Sequence, residues 1–320
     1  MTTVVSTVLL GTYADAVFET RFTGTRLDAV RQVITAPAPS FVAAHPATGV
    51  RYAVAEVEHG AVSAFAPTGE LLATLPSAGS YPCHALVAGA HLWVANYGDG
   101  TAAVVPLGPD GRFAGSPRRL PGAGSGPDAD RQEGPHAHST TAVDTELWVA
   151  DLGADLLRRF RDEAGEREAE PVRMPAGSGP RHLAVLADGT VAVSTELDDG
   201  LVLVRDGTVV VRVPATGTPP PPGGRNQPSH VAVVGELLVV AVRGADVLSV
   251  FRVGADGPVH LADSPVGGAW PRHFAAVGDH VLVACEHSDE VTALALDQAT
   301  GRAKLIGSTP VPAPSCVLPL

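Results

Sequence analysis

Histidine, arginine and carboxylate side chains recur at two equivalent points of a repeating unit in this chain. The first set follows a proline and comprises His84, His136, His138, Arg181, His182, His230, Arg272 and His273. The second set follows a short apolar strand and comprises Glu56, Asn96, Tyr97, Asp151, Glu196, Arg243 and Glu286. Guanidinium groups bind anions, and imidazoles and carboxylates transfer protons. If the fold brings the two sets together, they predict a site for an anionic ligand with acid–base chemistry.

Part of this pattern has a structural explanation. One histidine position recurs in four repeats, at His84, His182, His230 and His273, and a residue repeated in this way usually does a repeated packing job. Three residues of the second set could equally tie neighbouring repeats together: Glu56, Asn96 and Asp151. Residues used once are the stronger functional candidates, namely His136, His138, Arg181, Glu196 and Arg243.

The histidine pair His136-Ala-His138 also resembles half of a metal site, because alternate residues on a strand share one face. No third ligand follows at a recognisable spacing, so we expect no metal. The chain also lacks a Gly-x-Ser-x-Gly elbow, a phosphate-cradling loop, a dinucleotide fingerprint and a Cys-x-x-Cys pair. The sequence therefore predicts chemistry by side chains alone, without a cofactor.

These residues must be positioned by a repeated element, and the repeat is marked by proline. Prolines at 39, 82, 135, 180, 228, 271 and 314 each precede an apolar stretch, at intervals of 43 to 53 residues. A second apolar strand follows the first six, and a third strand often ends at an Asp-Gly or Thr-Gly turn. A fourth, more polar strand follows, as at 208–213. Four short strands in each repeat predict the blade of a β-propeller.

The two ends of the chain predict how the ring closes. Only six residues follow Pro314, whereas segments 4–10, 17–22 and 26–30 have the character of second, third and fourth strands. We therefore predict an all-β, seven-bladed propeller with four antiparallel strands per blade, formed by residues 1–320 as a single domain. The C-terminal strand would be innermost in a last blade completed by the N-terminal strands. Two β-sandwich domains are the alternative. They would not explain why the strands missing from the last repeat are found at the other end of the chain.

Composition excludes other classes of protein. The 320 residues include 35 glycines and 28 prolines, too many for a helical bundle. A net charge of −12 argues against nucleic-acid binding. No apolar run approaches the roughly 18 residues of a membrane span. Three widely spaced cysteines are typical of a reducing compartment. We expect a cytoplasmic protein, monomeric or weakly dimeric, that binds no membrane.

Seven sequence segments in order resemble the lactonase family of seven-bladed propellers. They begin with Leu10-Gly-Thr-Tyr13 and end with Pro314-Ser-Cys316, and the most distinctive is Gln132-Glu-Gly-Pro-His-Ala-His-Ser139. That family includes 6-phosphogluconolactonases of the cycloisomerase type and is similar to the fungal carboxymuconate cyclase. The resemblance implies hydrolysis of an anionic sugar lactone, most simply 6-phosphogluconolactone in the pentose phosphate pathway.

The resemblance also implies residue roles. By motif, the proposed site of the cyclase falls on His138, Arg181, Glu196 and Arg243, which we take as catalytic. His138 would be the general base, Glu196 would orient it or the water, and the two arginines would bind the carbonyl and the anionic tail. The remaining candidates would bind substrate: Glu56, Asn96, Tyr97, His136, Arg272 and Glu286.

Two alternatives stay open at this stage. A lactonising cyclase acting on a muconate-type dicarboxylate would use the same histidine and arginines. A propeller that only binds a ligand or protein is the other, although the Gly-His and Trp-Asp signature of protein scaffolds is absent. The chain also departs from the family where asparagine often ends the second strand, with Ala55, Thr195, Val242 and Cys285 instead. If those asparagines hold the site residues, the geometry of blades four and five would differ.

Overall fold

The computed structural model describes residues 5–320, which form seven antiparallel sheets of four strands each. Within each sheet the strands lie in the order innermost, second, third and outermost. Innermost strands of consecutive blades contact each other all the way round, and the last contacts the first. The described residues thus build a closed seven-bladed β-propeller, as the repeat predicts.

Blades are numbered along the chain from the first proline anchor. The strands of blades 1 and 2 are Val42–Ala44, Arg51–Ala55, Ala61–Phe65 and Leu71–Pro76, then Pro82–Ala88, His91–Asn96, Ala102–Pro106 and Arg118–Leu120. Those of blades 3 and 4 are Ala137–Val143, Glu146–Asp151, Leu156–Phe160 and Glu168–Arg173, then Pro180–Val185, Val191–Thr195, Gly200–Arg205 and Thr208–Pro214.

Blades 5 and 6 contain Gln227–Val234, Leu237–Arg243, Val247–Gly254 and Gly257–Pro265, then Pro271–Val277, His280–Cys285, Glu290–Leu296 and Ala303–Pro310. Blade 7 combines both ends of the chain in the order Pro314–Pro319, Ser6–Thr12, Ala16–Phe22 and Arg31–Thr35. One 3₁₀ turn, Glu286–Ser288, follows the second strand of blade 6.

The burial of each strand follows its apolar pattern. The second strand of blade 5, Leu237–Arg243, is buried throughout because neighbouring blades cover both of its faces. The outermost strand Thr208–Pro214 alternates between exposed and half-buried residues. Seven apolar clusters make up the core, and each lies between two consecutive blades. Trp93 and Phe160, for example, pack at 5.2 Å between blades 2 and 3.

The clasp of blade 7 agrees with the sequence prediction except at its outermost strand. Pro314–Pro319 pairs with Ser6–Thr12 as expected, and Val4 lies outside the described residues. The outermost strand is Arg31–Thr35, so its prediction at 26–30 was wrong. There, Asp28 N–H donates to the Arg21 carbonyl at 2.9 Å and the Thr20 hydroxyl donates to the Asp28 carbonyl at 2.8 Å. These bonds turn the segment into a wide loop before pairing resumes.

No helix in residues 5–320 is both long enough and apolar enough to span a bilayer.

Candidate active site

In four of the blades, a β-bulge near the start of the innermost strand aims one side chain into the central channel. In blades 2, 3, 4 and 6 the register shifts where two residues oppose one, and the bulged residues are Cys83, His138, Arg181 and Arg272. A bulged residue leaves the ladder, so its side chain can be re-aimed. All four line one cavity of about 370 Å³ at one end of the channel.

The second wall of the cavity comes from the ends of the second strands. These positions contribute Tyr13, Glu56, Tyr97, Glu196, Arg243 and Glu286. Members of both sets predicted from sequence therefore meet at one face, and Arg181 and His138 line the same cavity.

Glu196 is the centre of an arginine cluster. It is 3% exposed, and its Oε2 accepts hydrogen bonds from Arg181 Nε at 2.9 Å and Arg243 Nη2 at 2.6 Å. Its Oε1 accepts a third, from Arg131 Nη2 at 2.7 Å. Burial by itself would raise the pKa of this carboxyl, but the surrounding guanidiniums hold it well below its usual range. Glu196 is therefore a fixed anion that organises three cations.

Arg181 is a cavity residue whose hydrogen-bonding capacity is only partly used. Its Nε is bonded to Glu196, whereas its Nη1 is buried and has no hydrogen-bond partner among the described residues. Burial, assisted by the nearby charge of Arg243, lowers the pKa of Arg181 to about 9. A buried cation with an unpaired N–H is costly, so an anionic or carbonyl oxygen bound by this guanidinium would be stabilising.

A second group of charges lies on blades 6, 7 and 1. Arg272 Nη2 donates to the Tyr13 hydroxyl at 2.7 Å, and its guanidinium lies over the Tyr13 ring. Its Nε lies 2.7 Å from Glu286 Oε2, close enough for an ion pair but without the alignment of a hydrogen bond. Glu56 accepts a hydrogen bond from the Ser40 hydroxyl. This wall contains one arginine and two carboxyl groups, whereas the Glu196 cluster contains three arginines around one carboxylate and is basic.

His138 is suited to accept a proton. It is 8% exposed, its ring contacts that of Tyr97 at 5.5 Å, and its Nδ1 lies 3.9 Å from Cys83 Sγ. Burial and the charge of Arg181 hold the pKa of His138 well below its ordinary value. The imidazole is therefore neutral at physiological pH, which is the form in which a base begins its reaction.

The four repeated histidines form a layer across the channel. His182 and His230 approach within 2.8 Å through their Nδ1 atoms, and His230 packs on His273 with 4.0 Å between ring centroids. Phe41 closes the ring against His84 at 4.2 Å. Burial lowers the pKa of His84 and of His273 to about 3. These neutral, mutually packed rings fit the structural role that their repetition favours.

Two predicted substrate-binding residues do not reach the cavity wall. Asn96 is fully buried, and its Nδ2 donates to the carbonyls of Ser77 and Thr101. His136 stacks on Tyr97 at 4.6 Å, with its Nδ1 2.7 Å from the Tyr97 carbonyl oxygen. The position of His136 follows from the register of blade 3. Strand pairing begins there at Ala137, two residues after the anchor proline, whereas in blades 2, 4 and 6 it begins at the proline itself. That offset gives His138, not His136, the position that faces the channel.

Asp151 similarly supports the backbone. Its Oδ1 accepts N–H bonds from His136 at 2.8 Å and from Ala154 at 3.1 Å. The absence of asparagine at other strand ends has not separated the charged residues, since Arg181, Glu196 and Arg243 are in direct contact.

Tyr13, Ser40 and Arg131 are among the cavity residues that were missed from the sequence. Tyr13 occupies, in blade 7, the position that Glu56 and Glu196 occupy in their own blades, so the same positional rule identifies it. Ser40 follows the first proline anchor, as Arg181 and Arg272 follow theirs. Arg131 lies outside the repeated strands, although it directly precedes the distinctive Gln132-Glu-Gly-Pro motif.

Trp270 precedes the proline anchor of blade 6 and lines the cavity. It packs under Arg243 at 5.2 Å and stacks on His287 at 4.6 Å. Its φ of 63° is rare for a bulky residue, and its N–H is held by Asp246 Oδ1 at 2.8 Å. Strain of this kind is commonly found at functional sites.

Within residues 5–320, no three histidine, cysteine or carboxylate side chains are arranged to hold a metal ion.

Comparison with known proteins gives consistent matches over the chain. The model of the family described as "Lactonase, 7-bladed beta-propeller" matches residues 7–319. A 6-phosphogluconolactonase of Bacillus subtilis is 29% identical over 305 residues, which cover 87% of this chain and 86% of the relative. The periplasmic gluconolactonase of Pseudomonas aeruginosa, a solved structure, is 26% identical with a TM-score of 0.87 and 99% coverage of both chains. A protein from Lactobacillus plantarum superposes with a TM-score of 0.90 at 26% identity, again with 99% coverage of both chains.

Proposed function

The chain belongs to the lactonase family of seven-bladed β-propellers, and we propose that this lactonase hydrolyses 6-phosphogluconolactone or a closely related anionic sugar lactone. The observation that carries this proposal is that one cavity holds both the guanidinium of Arg181, fixed by Glu196, and the neutral imidazole of His138. An electrophilic donor and a proton acceptor are the two groups that addition of water to a lactone carbonyl requires.

In the proposed mechanism, His138 takes a proton from water as the oxygen attacks the lactone carbonyl. Negative charge develops on the carbonyl oxygen, and the guanidinium of Arg181 stabilises it. One such donor is often worth about 3–4 kcal/mol in the transition state. Glu196 acts as a positioning residue, because it fixes Arg181 through its Nε. This differs from the expectation that Glu196 would orient His138 or the water.

The charge distribution supports an anionic tail on the substrate. Arg131, Arg181 and Arg243 surround the single carboxylate of Glu196, so this wall carries excess positive charge. Arg131 and Arg243 would bind a phosphate, and the group of Arg272, Glu286 and Glu56 would bind sugar hydroxyls. The local field favours an anion even though the chain carries −12 overall.

The test is to follow acid release from δ-6-phosphogluconolactone by purified protein. We expect a rate above the spontaneous rate that scales with enzyme concentration, and a kcat/KM about tenfold or more lower on glucono-δ-lactone, which lacks the phosphate. Arg181→Ala should lower kcat about 100-fold or more. The matched control Arg173→Ala changes an exposed arginine of blade 3 and should leave kcat unchanged. No acceleration by the wild-type protein over buffer would overturn the proposal.

The proposal includes a cytoplasmic enzyme that is a monomer or a weak homodimer. Its three cysteines are unpaired, which is in keeping with a reducing compartment.

A further inference from the structure

The cavity contains three carboxylates, and Glu56 is the one that no arginine neutralises. Glu196 contacts three guanidiniums and Glu286 lies 2.7 Å from Arg272 Nε. Glu56, in contrast, forms no ion pair with the described residues and accepts its hydrogen bond from the neutral hydroxyl of Ser40. Glu56 thus has a carboxyl in the cavity wall that is not committed to a salt bridge.

The backbone around Glu56 is held firmly where the two ends of the chain meet. Glu56 N–H donates to the Ala38 carbonyl at 3.0 Å, and the Ser40 carbonyl accepts from the Ser315 hydroxyl at 2.7 Å. The Tyr13 hydroxyl, which accepts from Arg272, also interacts with the Glu56 carboxyl. Residues of blades 1, 6 and 7 therefore fix one orientation of this side chain.

Hydrolysis of a lactone needs a proton donor as well as a base. After water adds, the bond between the carbonyl carbon and the ring oxygen breaks, and the ring oxygen leaves with the electron pair. An alkoxide is a poor leaving group unless it is protonated as the bond breaks. Of the groups assigned above, only His138, once it has taken the proton from water, could supply a proton to this oxygen.

We propose that Glu56 is the catalytic acid that protonates the leaving ring oxygen. This inference rests on the proposed lactone hydrolysis. His138 first receives a proton from water, and Glu56 gives its own proton to the ring oxygen as the C–O bond breaks. The products are the hydroxy acid, the Glu56 carboxylate and protonated His138. Transfer of the proton from His138 to Glu56 through water restores both groups, so the overall reaction consumes one water.

The surroundings of Glu56 favour the protonated form that an acid needs. Burial raises the pKa of Glu56, against the opposing effects of Ser40 and Tyr13 and of the cations Arg272 and Arg181. Cys83 also faces it, and burial raises the pKa of that thiol, so it remains neutral. Arg272 and Arg181 favour the carboxylate form of Glu56, but they do not outweigh burial. The other carboxyl of this wall, Glu286, is paired with Arg272.

Glu56→Gln tests the assignment, because glutamine keeps the shape and removes the proton. We expect kcat on δ-6-phosphogluconolactone to fall about 100-fold with KM within about threefold of wild type. Wild-type kcat should decline as pH rises through the pKa of Glu56, and this alkaline limb should vanish in Glu56→Gln and persist in Glu56→Asp. Glu70→Gln, the same change at an exposed carboxylate of blade 1, is the matched control.

A measurement independent of turnover is the infrared stretch of protonated carboxyl groups. It should show a group titrating above the ordinary range of glutamate in wild type and lacking in Glu56→Gln. If the wild type is active and Glu56→Gln keeps the same kcat, or if Glu56→Gln keeps the infrared titration of wild type, the role of Glu56 is wrong. The proposed function would be unaffected by either result. A wild type that hydrolyses no lactone would instead overturn the proposed function, and the catalytic role of Glu56 with it.

Discussion

A single buried carboxylate holds the basic wall of the cavity together. Without Glu196, the guanidiniums of Arg181 and Arg243 would face each other in a site with little water, and their mutual repulsion already contributes to the lowered pKa of Arg181. Glu196 cannot serve as a base, since its pKa is held well below the usual range by the same arginines. Its contribution to catalysis is therefore geometric.

Glu196→Gln should reduce both stability and kcat. Removing one partner of a buried ion pair typically costs about 3–5 kcal/mol, because the remaining charge is left uncompensated. We expect a loss of about 3 kcal/mol in the free energy of unfolding at pH 7, measured with urea, and a kcat at least about 100-fold lower. Glu170→Gln, at an exposed site of blade 3, is the control.

The pH dependence has a defined sign. The pKa of Glu196 is lower in the folded state than in the unfolded chain, so its stabilisation is complete above the unfolded value and is lost as pH falls through the folded one. The stability difference between wild type and Glu196→Gln should consequently shrink below about pH 4.5. A difference that stays constant into acid would contradict this account.

At the scale of elements, local pattern predicted most strands, and tertiary contacts decided the remainder. The seven apolar second strands are evident from sequence, because a strand covered on both faces must be continuously apolar. The outermost strand of blade 7 was misplaced, since residues 26–30 and 31–35 have similar patterns and only the bonds of Asp28 distinguish them. Arg131 reaches Glu196 from a long loop between blades 2 and 3. The conformation of such a loop cannot be predicted from the periodicity of the sequence.

The layer of channel histidines is the element with the clearest pH response. Burial lowers the pKa of all four, so the unfolded chain binds more protons than the folded one as pH falls below about 6.5. The neutral histidines stabilise the folded state above that pH, and this stabilisation is lost as the pH falls below it. Each can contribute up to about 1.4 kcal/mol per pH unit.

His230→Ala should separate packing from titration. At pH 7.5 we expect a loss of about 2–4 kcal/mol, since a buried ring that packs on His273 and Phe274 is removed. Between pH 7.5 and 5.5, however, the variant should lose less stability than wild type, because one titrating group is gone. Urea unfolding at both pH values measures this. Equal acid sensitivity in the two proteins would show that the layer does not titrate as described.

At the scale of the whole molecule, the strands that close the ring also position part of the cavity wall. The innermost and second strands of blade 7 come from opposite ends of the chain, and they pack against the Pro39–Ser40 corner that supports Glu56. Tyr13 enters the cavity from the same N-terminal segment. A disturbance at this seam should therefore affect both stability and activity. A substitution at an open position of an exposed outermost strand should affect neither.

Gly11→Ala tests this coupling. A Cβ at Gly11 would lie 2.8 Å from the Pro39 carbonyl oxygen and 3.0 Å from that of Ser40, backbone atoms that cannot move without displacing the seam. We expect a loss of about 1–3 kcal/mol in unfolding free energy together with a lower kcat. Gly307→Ala, in the outermost strand of blade 6, is matched because no heavy atom lies within 4 Å of its added Cβ. It should keep full activity and stability. If Gly11→Ala lost stability but kept kcat, closure would not orient Glu56, and the site would be independent of the seam.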